Sequence, residues 1–429
     1  MSLFGTSGIR RIADRNLLEI ALKVGIALGT TRKSVVVGQD TRTSGQAIKH
    51  ALMAGLMSAG ARCYDAGVVP TPTVAFSARN FEAGVMITAS HNPPEYNGIK
   101  VFNSDGSSFV GPQQDEVEAL ISGPLQIARW QDIRDGYLPY PEAVERHSQH
   151  ILEHLSVSTK KRVVLDCTCG AACVITPFLL RRMGCDVVGL NTHPSGFFPH
   201  DAEPIEQNVG DLRRISAQLG AVGIVHDGDA DRMMAVDEEG RFVPGDKMLV
   251  LLARALGATE IVTTVDASMM VEEEGFKTTR TKVGDTYVSE RLLSEGEFGG
   301  EPSGAWVFPK SSMCPDGIYA AAMIASIASK ESLCSLVDAI PEYPIIRGSI
   351  PRSEATTDLD VASLPTKPIR IESIDGSKLI FDDGWVLVRP SGTEPKVRIT
   401  AEGKTRAAAT RLYDMVVKSI QESGPGGKP

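Results

Sequence analysis

Ser90 and Lys100 are the first two side chains in this sequence whose types and setting suggest chemistry. They lie in Thr88-Ala89-Ser90-His91-Asn92-Pro93-Pro94-Glu95-Tyr96-Asn97-Gly98-Ile99-Lys100. The apolar run from Ala83 to Ala89 leads into this stretch and reads as a buried strand. Ligand chemistry in open α/β sheets collects at the carboxyl ends of such strands. The expected loop offers a hydroxyl at Ser90 and an amine at Lys100, with two prolines and a glycine fixing the chain between them. His91 either touches a ligand beside Ser90 or caps the loop. Phe4-Gly5-Thr6-Ser7-Gly8-Ile9-Arg10 is either an anion-friendly turn served by Arg10 or a surface turn.

Asp227, Asp229 and Asp231 alternate after the apolar run Val222 to His226. Three carboxylates this close repel unless a cation sits among them. An all-oxygen set suits Mg²⁺ better than zinc. The EF-hand alternative fails because Arg232 stands where glycine is needed and a strand precedes the loop. An aspartyl-phosphate phosphatase with Asp227 as nucleophile is a further alternative, and Asp231 departs from its usual pattern. Arg232 beside the triad suggests an anion near the metal.

Glu301 and Ser303 alternate in the glycine-rich stretch Glu297 to Trp306, so both can face one ligand. A carboxylate and a hydroxyl suit vicinal sugar hydroxyls. Arg389-Pro390-Ser391-Gly392-Thr393-Glu394-Pro395-Lys396-Val397-Arg398 supplies guanidinium groups, hydroxyls and open glycine backbone. Arginine forks match phosphate oxygens. Cys167, Cys169 and Cys173 lack the second pair that zinc sites usually bring, so they read as thiols.

Strand–turn–helix units must position these groups. Ser34 to Gly38, Lys161 to Asp166 and Glu260 to Val265 read as strands, each followed by a polar turn and a helical pattern. Past about Glu342 strands follow one another without long helices, and Lys404 to Glu422 reads as an amphipathic helix. The expectation is α/β: three similar mixed-sheet α/β domains followed by a smaller α+β C-terminal domain around a central cleft. The expected bounds are 1–141 for the Ser90 loop, 142–245 for the metal loop, 246–345 for the Glu301 loop and 346–429 for the phosphate site.

Bulk properties narrow the class. The chain has 429 residues, too many for one ordinary core. The formal net charge of −9 argues against a nucleic-acid partner. No apolar stretch is long enough to span a bilayer. Seven cysteines, without a secretory pattern at the N-terminus, suggest reduced thiols in the cytoplasm.

Taken together, the motifs resemble the α-D-phosphohexomutases, archaeal and bacterial phosphoglucosamine mutases above all. Thr88 to Lys100 resembles that family's phosphoserine loop, Asp227 to Arg232 its metal loop, Gly300 to Gly304 its sugar loop and Arg389 to Arg398 its phosphate loop. The resemblance implies an isomerase, an intramolecular phosphotransferase of carbohydrate metabolism and amino-sugar biosynthesis. Phosphorylated Ser90 donates its phosphoryl group to a hexose phosphate. A hexose 1,6-bisphosphate forms, turns around and returns its other phosphate to Ser90.

The resemblance further implies one Mg²⁺ per chain on Asp227, Asp229, Asp231 and the Ser90 phosphate. Lys100 becomes the general base, its pKa lowered by Arg10 and the metal, with His91 and Arg10 alongside. Arg232, Lys282, Glu301, Ser303, Arg389, Ser391, Gly392, Thr393 and Arg398 become substrate-binding residues. The bisphosphate also serves as activator, and the protein is expected as a monomer or homodimer without a nucleic-acid or membrane partner. Lys282-Val283-Gly284-Asp285 resembles the phosphoglucosamine mutases, and a carboxylate at Asp285 suits a substrate ammonium group. That favours glucosamine 6-phosphate over the mannose and glucose phosphates of the family's phosphomannomutases and phosphoglucomutases. Many relatives have histidine where Ala305 stands here.

Overall fold

The computed structural model describes residues 3–133, 136–155, 160–351, 361, 364–390 and 396–422. The chain forms two compact units, Met1–Ala258 with Gly284–Ala339, and Thr259–Val283 with Ile340–Pro429. Among the described residues no helix is long and apolar enough to cross a membrane. All seven cysteines are free.

The first unit opens with β1 (Ile9–Ile12), α1 (Arg15–Thr31), β2 (Ser34–Gln39), α2 (Gly45–Ser58), β3 (Arg62–Val68), α3 (Thr71–Ala78), β4 (Ala83–Ile87), β5 (Tyr96–Phe102), α4 (Gly111–Ser122), β6 (Tyr137–Pro139) and α5 (Ala143–His154). The strands form a sheet in the order β1-β5-β4-β2-β3-β6. β4, β2, β3 and β6 run parallel, and β5 and β1 are antiparallel additions at one edge. Strand alternation divides β2 between two cores. Val35 and Val37 pack with Leu17, Leu28, Leu52 and Leu56, whereas Val36 packs with Val74, Met86 and Phe102. Asp14 caps α1 by accepting from the Leu17 amide.

The unit continues with β7 (Arg162–Asp166), α6 (Thr176–Arg182), β8 (Asp186–Leu190), α7 (Gly210–Leu219), β9 (Val222–His226), β10 (Met233–Val236) and α8 (Gly245–Leu256). These strands form a mixed sheet in the order β10-β9-β7-β8, with β10 antiparallel to β9. The second unit begins with β11 (Glu260–Thr264), α9 (Met270–Glu273) and β12 (Lys277–Thr281), and its two strands are parallel. The first unit resumes with α10 (Asp285–Leu292), the antiparallel pair β13 (Phe298–Glu301) and β14 (Ala305–Val307), α11 (Gly317–Lys330) and α12 (Leu333–Asp338).

The second unit ends with β15 (Ile345–Pro351), β16 (Arg370–Glu372), β17 (Ser377–Phe381), β18 (Gly384–Pro390), β19 (Lys396–Gly403) and α13 (Arg406–Glu422). The sheet order is β15-β19-β18-β17-β16, antiparallel throughout. α13 covers one face through Leu412, Val416 and Ile420, which pack with Leu379, Val386 and Ile399. Val265, after β11, packs against Trp385 and Leu387 of the same unit.

One sequence expectation changes here. Lys100 does not belong to a loop with Ser90. It lies on β5, with Met86 of β4 as its partner, and only residues 88–95 form the connection. Gly98 permits this edge, since a Cβ there would stand 2.1 Å from the Ile9 carbonyl oxygen on β1.

Candidate functional site

The first unit brings Ser90, Lys100, Asp227, Asp229 and Asp231 into one buried cluster, with the half-buried His91, Arg10 and Arg232 at its edge. Ser90 follows β4 and is 1% exposed, with its backbone at φ 54°. Left-handed backbone is uncommon for a residue with a side chain and must be held by its surroundings. The Ser90 amide donates to Thr88 Oγ1 at 2.8 Å, and Thr88 Oγ1 donates to Asp40 Oδ2 at 2.7 Å. Ser90 Oγ donates to Asp227 Oδ2 at 2.8 Å and lies 3.5 Å from His91 Nδ1.

The three aspartates occupy the turn between β9 and β10, and their carboxylate oxygens lie within 4.8 Å of one another. Lys100 Nζ donates to Asp229 Oδ2 at 2.8 Å and to Asp231 Oδ2 at 2.5 Å. Thr71 Oγ1, at the start of α3, also donates to Asp229 Oδ2. The Arg232 amide donates to Asp227 Oδ1 at 3.2 Å. Arg10 is carried in by the pairing of β1 with β5, and its guanidinium donates to Asn92 Oδ1.

The electrostatics follow from burial and crowding. Burial raises the Asp227 carboxyl well above its ordinary range, and Asp231 and Asp229 add to the effect. For Asp229 burial works the same way, but Lys100 and the Thr71 hydroxyl outweigh it and the carboxyl falls below the usual range. Burial and the cations Arg232 and Arg10 push His91 down to about 2, so its imidazole is neutral. At Lys100 two effects on the pKa oppose each other. Burial lowers it, but contact with Asp229 and Asp231 more than offsets this and holds the ammonium above the ordinary lysine value.

A divalent cation fits this donor set. Asp229 Oδ1 and Asp231 Oδ1 are buried and receive no hydrogen bond among the described residues. Buried carboxylate oxygens without a partner are costly. An all-oxygen cluster of this kind suits a hard cation such as Mg²⁺.

The Glu301 loop is tied to the metal loop through backbone. Arg232 forms a β-bridge with Ala305, and the Met233 amide donates to the Gly304 carbonyl at 3.0 Å. Glu301 is 7% exposed, and its Oε1 accepts from the Gly284 amide. Ser303 Oγ donates to Glu301 Oε2 at 3.2 Å. Asp285, at the start of α10, accepts from Ser7 Oγ at 2.9 Å, which joins it to the N-terminal turn.

Lys282, Arg389 and Arg398 belong to the second unit. Arg389 on β18 stands directly opposite Arg398 on β19. Like charges in that register destabilise a sheet. Arg389 NH1 pairs with Asp375 at 3.0 Å, while its Nε is buried without a partner among the described residues. An anion would satisfy the Arg389 Nε. Ser391, Gly392 and Thr393 lie outside the described residues.

Sequence reasoning passed over Arg42, Asp40, Thr71 and Phe198. Arg42 is fully buried and donates to the carbonyl oxygens of Ser90, Asn92, Pro93 and Tyr96. Its signal was present, since Asp40-Thr41-Arg42 follows an apolar strand directly. Thr71 and Phe198 carry no local signal.

Four stretches match the domains described as phosphoglucomutase/phosphomannomutase. Alpha/beta/alpha domain I covers residues 1–126, domain II 142–240, domain III 244–343 and the C-terminal domain 350–419. The chain belongs to the phosphoglucomutase/phosphomannomutase family. Its fold is accordingly three mixed-sheet α/β domains and a smaller C-terminal domain with an antiparallel sheet, and it is an isomerase of the phosphohexomutase class. A probable phosphoglucosamine mutase of Methanocella arvoryzae is 46% identical over 98% of this chain and 98% of its own. Another, from Methanococcoides burtonii, is 46% identical over 99% of this chain and 100% of its own. The crystal structure of a phosphoglucomutase/phosphomannomutase family protein from Burkholderia thailandensis superimposes with a TM-score of 0.90 at 26% identity, covering 99% of this chain and 98% of that one.

Proposed function

We propose that this phosphohexomutase interconverts glucosamine 6-phosphate and glucosamine 1-phosphate through phosphorylated Ser90 and a bisphosphorylated sugar. The observation that carries the reading is the Ser90 hydroxyl, buried and 2.8 Å from Asp227 in a cluster that also contains Lys100. The Ser90 Oγ–P bond breaks as the phosphoryl group passes to a free substrate hydroxyl, and the proton which that hydroxyl loses is balanced by one delivered to Ser90 Oγ, leaving a free serine hydroxyl. The sugar then carries phosphate at both ends, turns around, and returns the other phosphoryl group to Ser90. The net change moves phosphate between C6 and C1, and hexose 1,6-bisphosphate also restores phosphoserine lost to hydrolysis.

Each group has a part to play. Lys100 holds a proton at Nζ between Asp229 and Asp231, and we assign to it proton exchange with the reacting hydroxyl. His91, kept neutral beside Ser90 Oγ, contacts the transferring group without adding charge. Arg10 and Arg232 supply positive charge at the phosphoryl group. Asp227, Asp229, Asp231 and the Ser90 phosphate would hold one Mg²⁺, which would offset the charge of the transferring phosphoryl when bound. Glu301 and Ser303 read sugar hydroxyls. Lys282, Arg389, Ser391, Gly392, Thr393 and Arg398 hold the phosphate that is not reacting. We place the four domains at 1–141, 142–245, 246–345 and 346–429, and the enzyme in the cytoplasm.

Glucosamine is favoured by relatives at 46% identity that are named probable phosphoglucosamine mutases, and by the Asp285 carboxylate. The deciding measurement compares rates on glucosamine 6-phosphate, glucose 1-phosphate and mannose 1-phosphate, with mass spectrometry of the Ser90 peptide. A preference for glucosamine 6-phosphate and an added phosphate on Ser90 are expected. Equal rates on all three refute the glucosamine reading, and a fully active Ser90→Ala variant refutes the phosphoserine mechanism.

A further inference from the structure

Arg42 spends every N–H of its guanidinium around one short loop. Nε donates to Asp40 Oδ2 at 3.2 Å. NH1 donates to the carbonyl oxygens of Pro93 at 2.6 Å and Tyr96 at 2.9 Å. NH2 donates to those of Ser90 at 2.7 Å and Asn92 at 2.6 Å. A guanidinium has five N–H donors in a fixed plane, and all five are used. Three of these carbonyls, those of Ser90, Asn92 and Pro93, belong to the connection between β4 and β5, the fourth is that of Tyr96 at the start of β5, and Ser90 itself is left-handed. Left-handed backbone is disfavoured for a residue with a side chain, so this geometry persists only where several contacts fix it together.

The other face of Arg42 is covered by a different part of the chain. The Phe198 ring lies 5.0 Å from the guanidinium carbon. A Cβ on Gly228, inside the metal loop, would stand 3.3 Å from Phe198 and 2.6 Å from the Ser90 carbonyl oxygen. Gly196, at φ +72°, lets the Phe198 loop approach Arg42 so closely that a Cβ there would stand 2.1 Å from the Thr41 carbonyl oxygen. Asp40 anchors the near side, since its Oδ2 also accepts from Thr88 Oγ1, which in turn accepts the Ser90 amide. Ser90 is therefore held at its N–H through Asp40 and Thr88, and at its C=O by Arg42.

Resting on the phosphoserine reading above, we infer that Arg42 and Phe198 are positioning residues that hold Ser90 in its left-handed conformation, with Oγ aimed at the metal loop. Both act through Ser90. They act on the step in which Ser90 gives or takes the phosphoryl group and not on capture of the sugar. Lysine cannot replace Arg42, since an ammonium has three donors and no planar fork.

The experiment measures kcat and KM for Arg42→Lys and Phe198→Leu beside the parent enzyme, with melting temperatures and the phosphate content of Ser90. A displacement of about 1 Å costs about 10²-fold in rate, so Arg42→Lys should lose about that much kcat with KM unchanged. Phe198→Leu, which keeps apolar bulk and removes the ring face, should lose about tenfold, again in kcat. Phe198→Leu decides alone if Arg42→Lys does not fold. A folded Phe198→Leu protein with full kcat, or one whose loss falls in KM, overturns the inference while leaving Ser90 dependence intact. A parent enzyme indifferent to Ser90→Ala overturns the phosphoserine reading and this inference with it.

Discussion

Ser90 and Asp227, 137 residues apart, share a 2.8 Å hydrogen bond between the serine hydroxyl and a carboxylate buried among like charges. The pairing suits a neutral serine. A phosphoserine brings a charge of roughly −1.5 to −2 to the same place. Two unit charges 4 Å apart repel by about 4 kcal/mol at an effective dielectric of 20. The phosphorylated state therefore calls for a cation between them.

Asp227→Asn tests that requirement. The amide keeps the size of the side chain and removes its charge. We expect Mg²⁺ affinity, measured by calorimetry on the phosphorylated protein, to fall at least tenfold, and kcat/KM to fall about 10²-fold, or about 2.7 kcal/mol of transition-state stabilisation. Chelation by EDTA should silence the parent enzyme, and added Mg²⁺ should restore it. Undiminished turnover in excess EDTA would show that the triad is structural.

Gly245 makes a second prediction at the sugar loop. It begins α8, and a Cβ there would stand only 1.8 Å from the Pro302 carbonyl oxygen. Pro302 lies between Glu301 and Ser303, so Gly245→Ala must push that loop away. We expect about 1–3 kcal/mol of lost stability from the overpacking and a rise of about tenfold in KM for the sugar phosphate, worth about 1.4 kcal/mol. Steady-state kinetics and thermal unfolding measure both. A normal KM would mean that Glu301 and Ser303 do not read the sugar.

The parts of the fold that could be read from sequence were those set by local pattern. Val222 to His226 is a strand with the expected bounds because its apolar run ends sharply at Asp227. What could not be read depended on long-range pairing. Lys100 lies on a strand because Tyr96–Phe102 finds partners in both β4 and β1. Its pKa rises because Asp229 and Asp231 arrive from about 130 residues away, which its own neighbours do not announce. The partners of Arg42 are main-chain oxygens 48–54 residues on, and carbonyls leave no mark in a sequence. The opposition of Arg389 to Arg398 became visible only with the register of β18 and β19.

Lys378 supplies a pH prediction in the second unit. It is 2% exposed, donates to the Val265 carbonyl at 2.7 Å, and lies 4.1 Å from the centre of the Trp385 ring. Burial, and after it the Arg280 guanidinium, lowers its pKa from 10.5 to about 7. The unfolded chain therefore binds the lysine proton more tightly than the native one does. Between the folded pKa near 7 and the unfolded value of 10.5 the unfolded state holds more protons, so this group makes stability rise with pH. Its penalty is full below pH 7, shrinks through that window and is absent above it. Lys378→Met removes the penalty and the hydrogen bond to Val265, the latter worth about 1 kcal/mol. The variant should be more stable than the parent at pH 6 and equal or slightly less stable near pH 10, a swing on the order of 3 kcal/mol. Urea unfolding of both proteins at pH 6, 8 and 10 measures the swing. A stability difference that does not change with pH would mean that Lys378 keeps its ordinary pKa in the native fold.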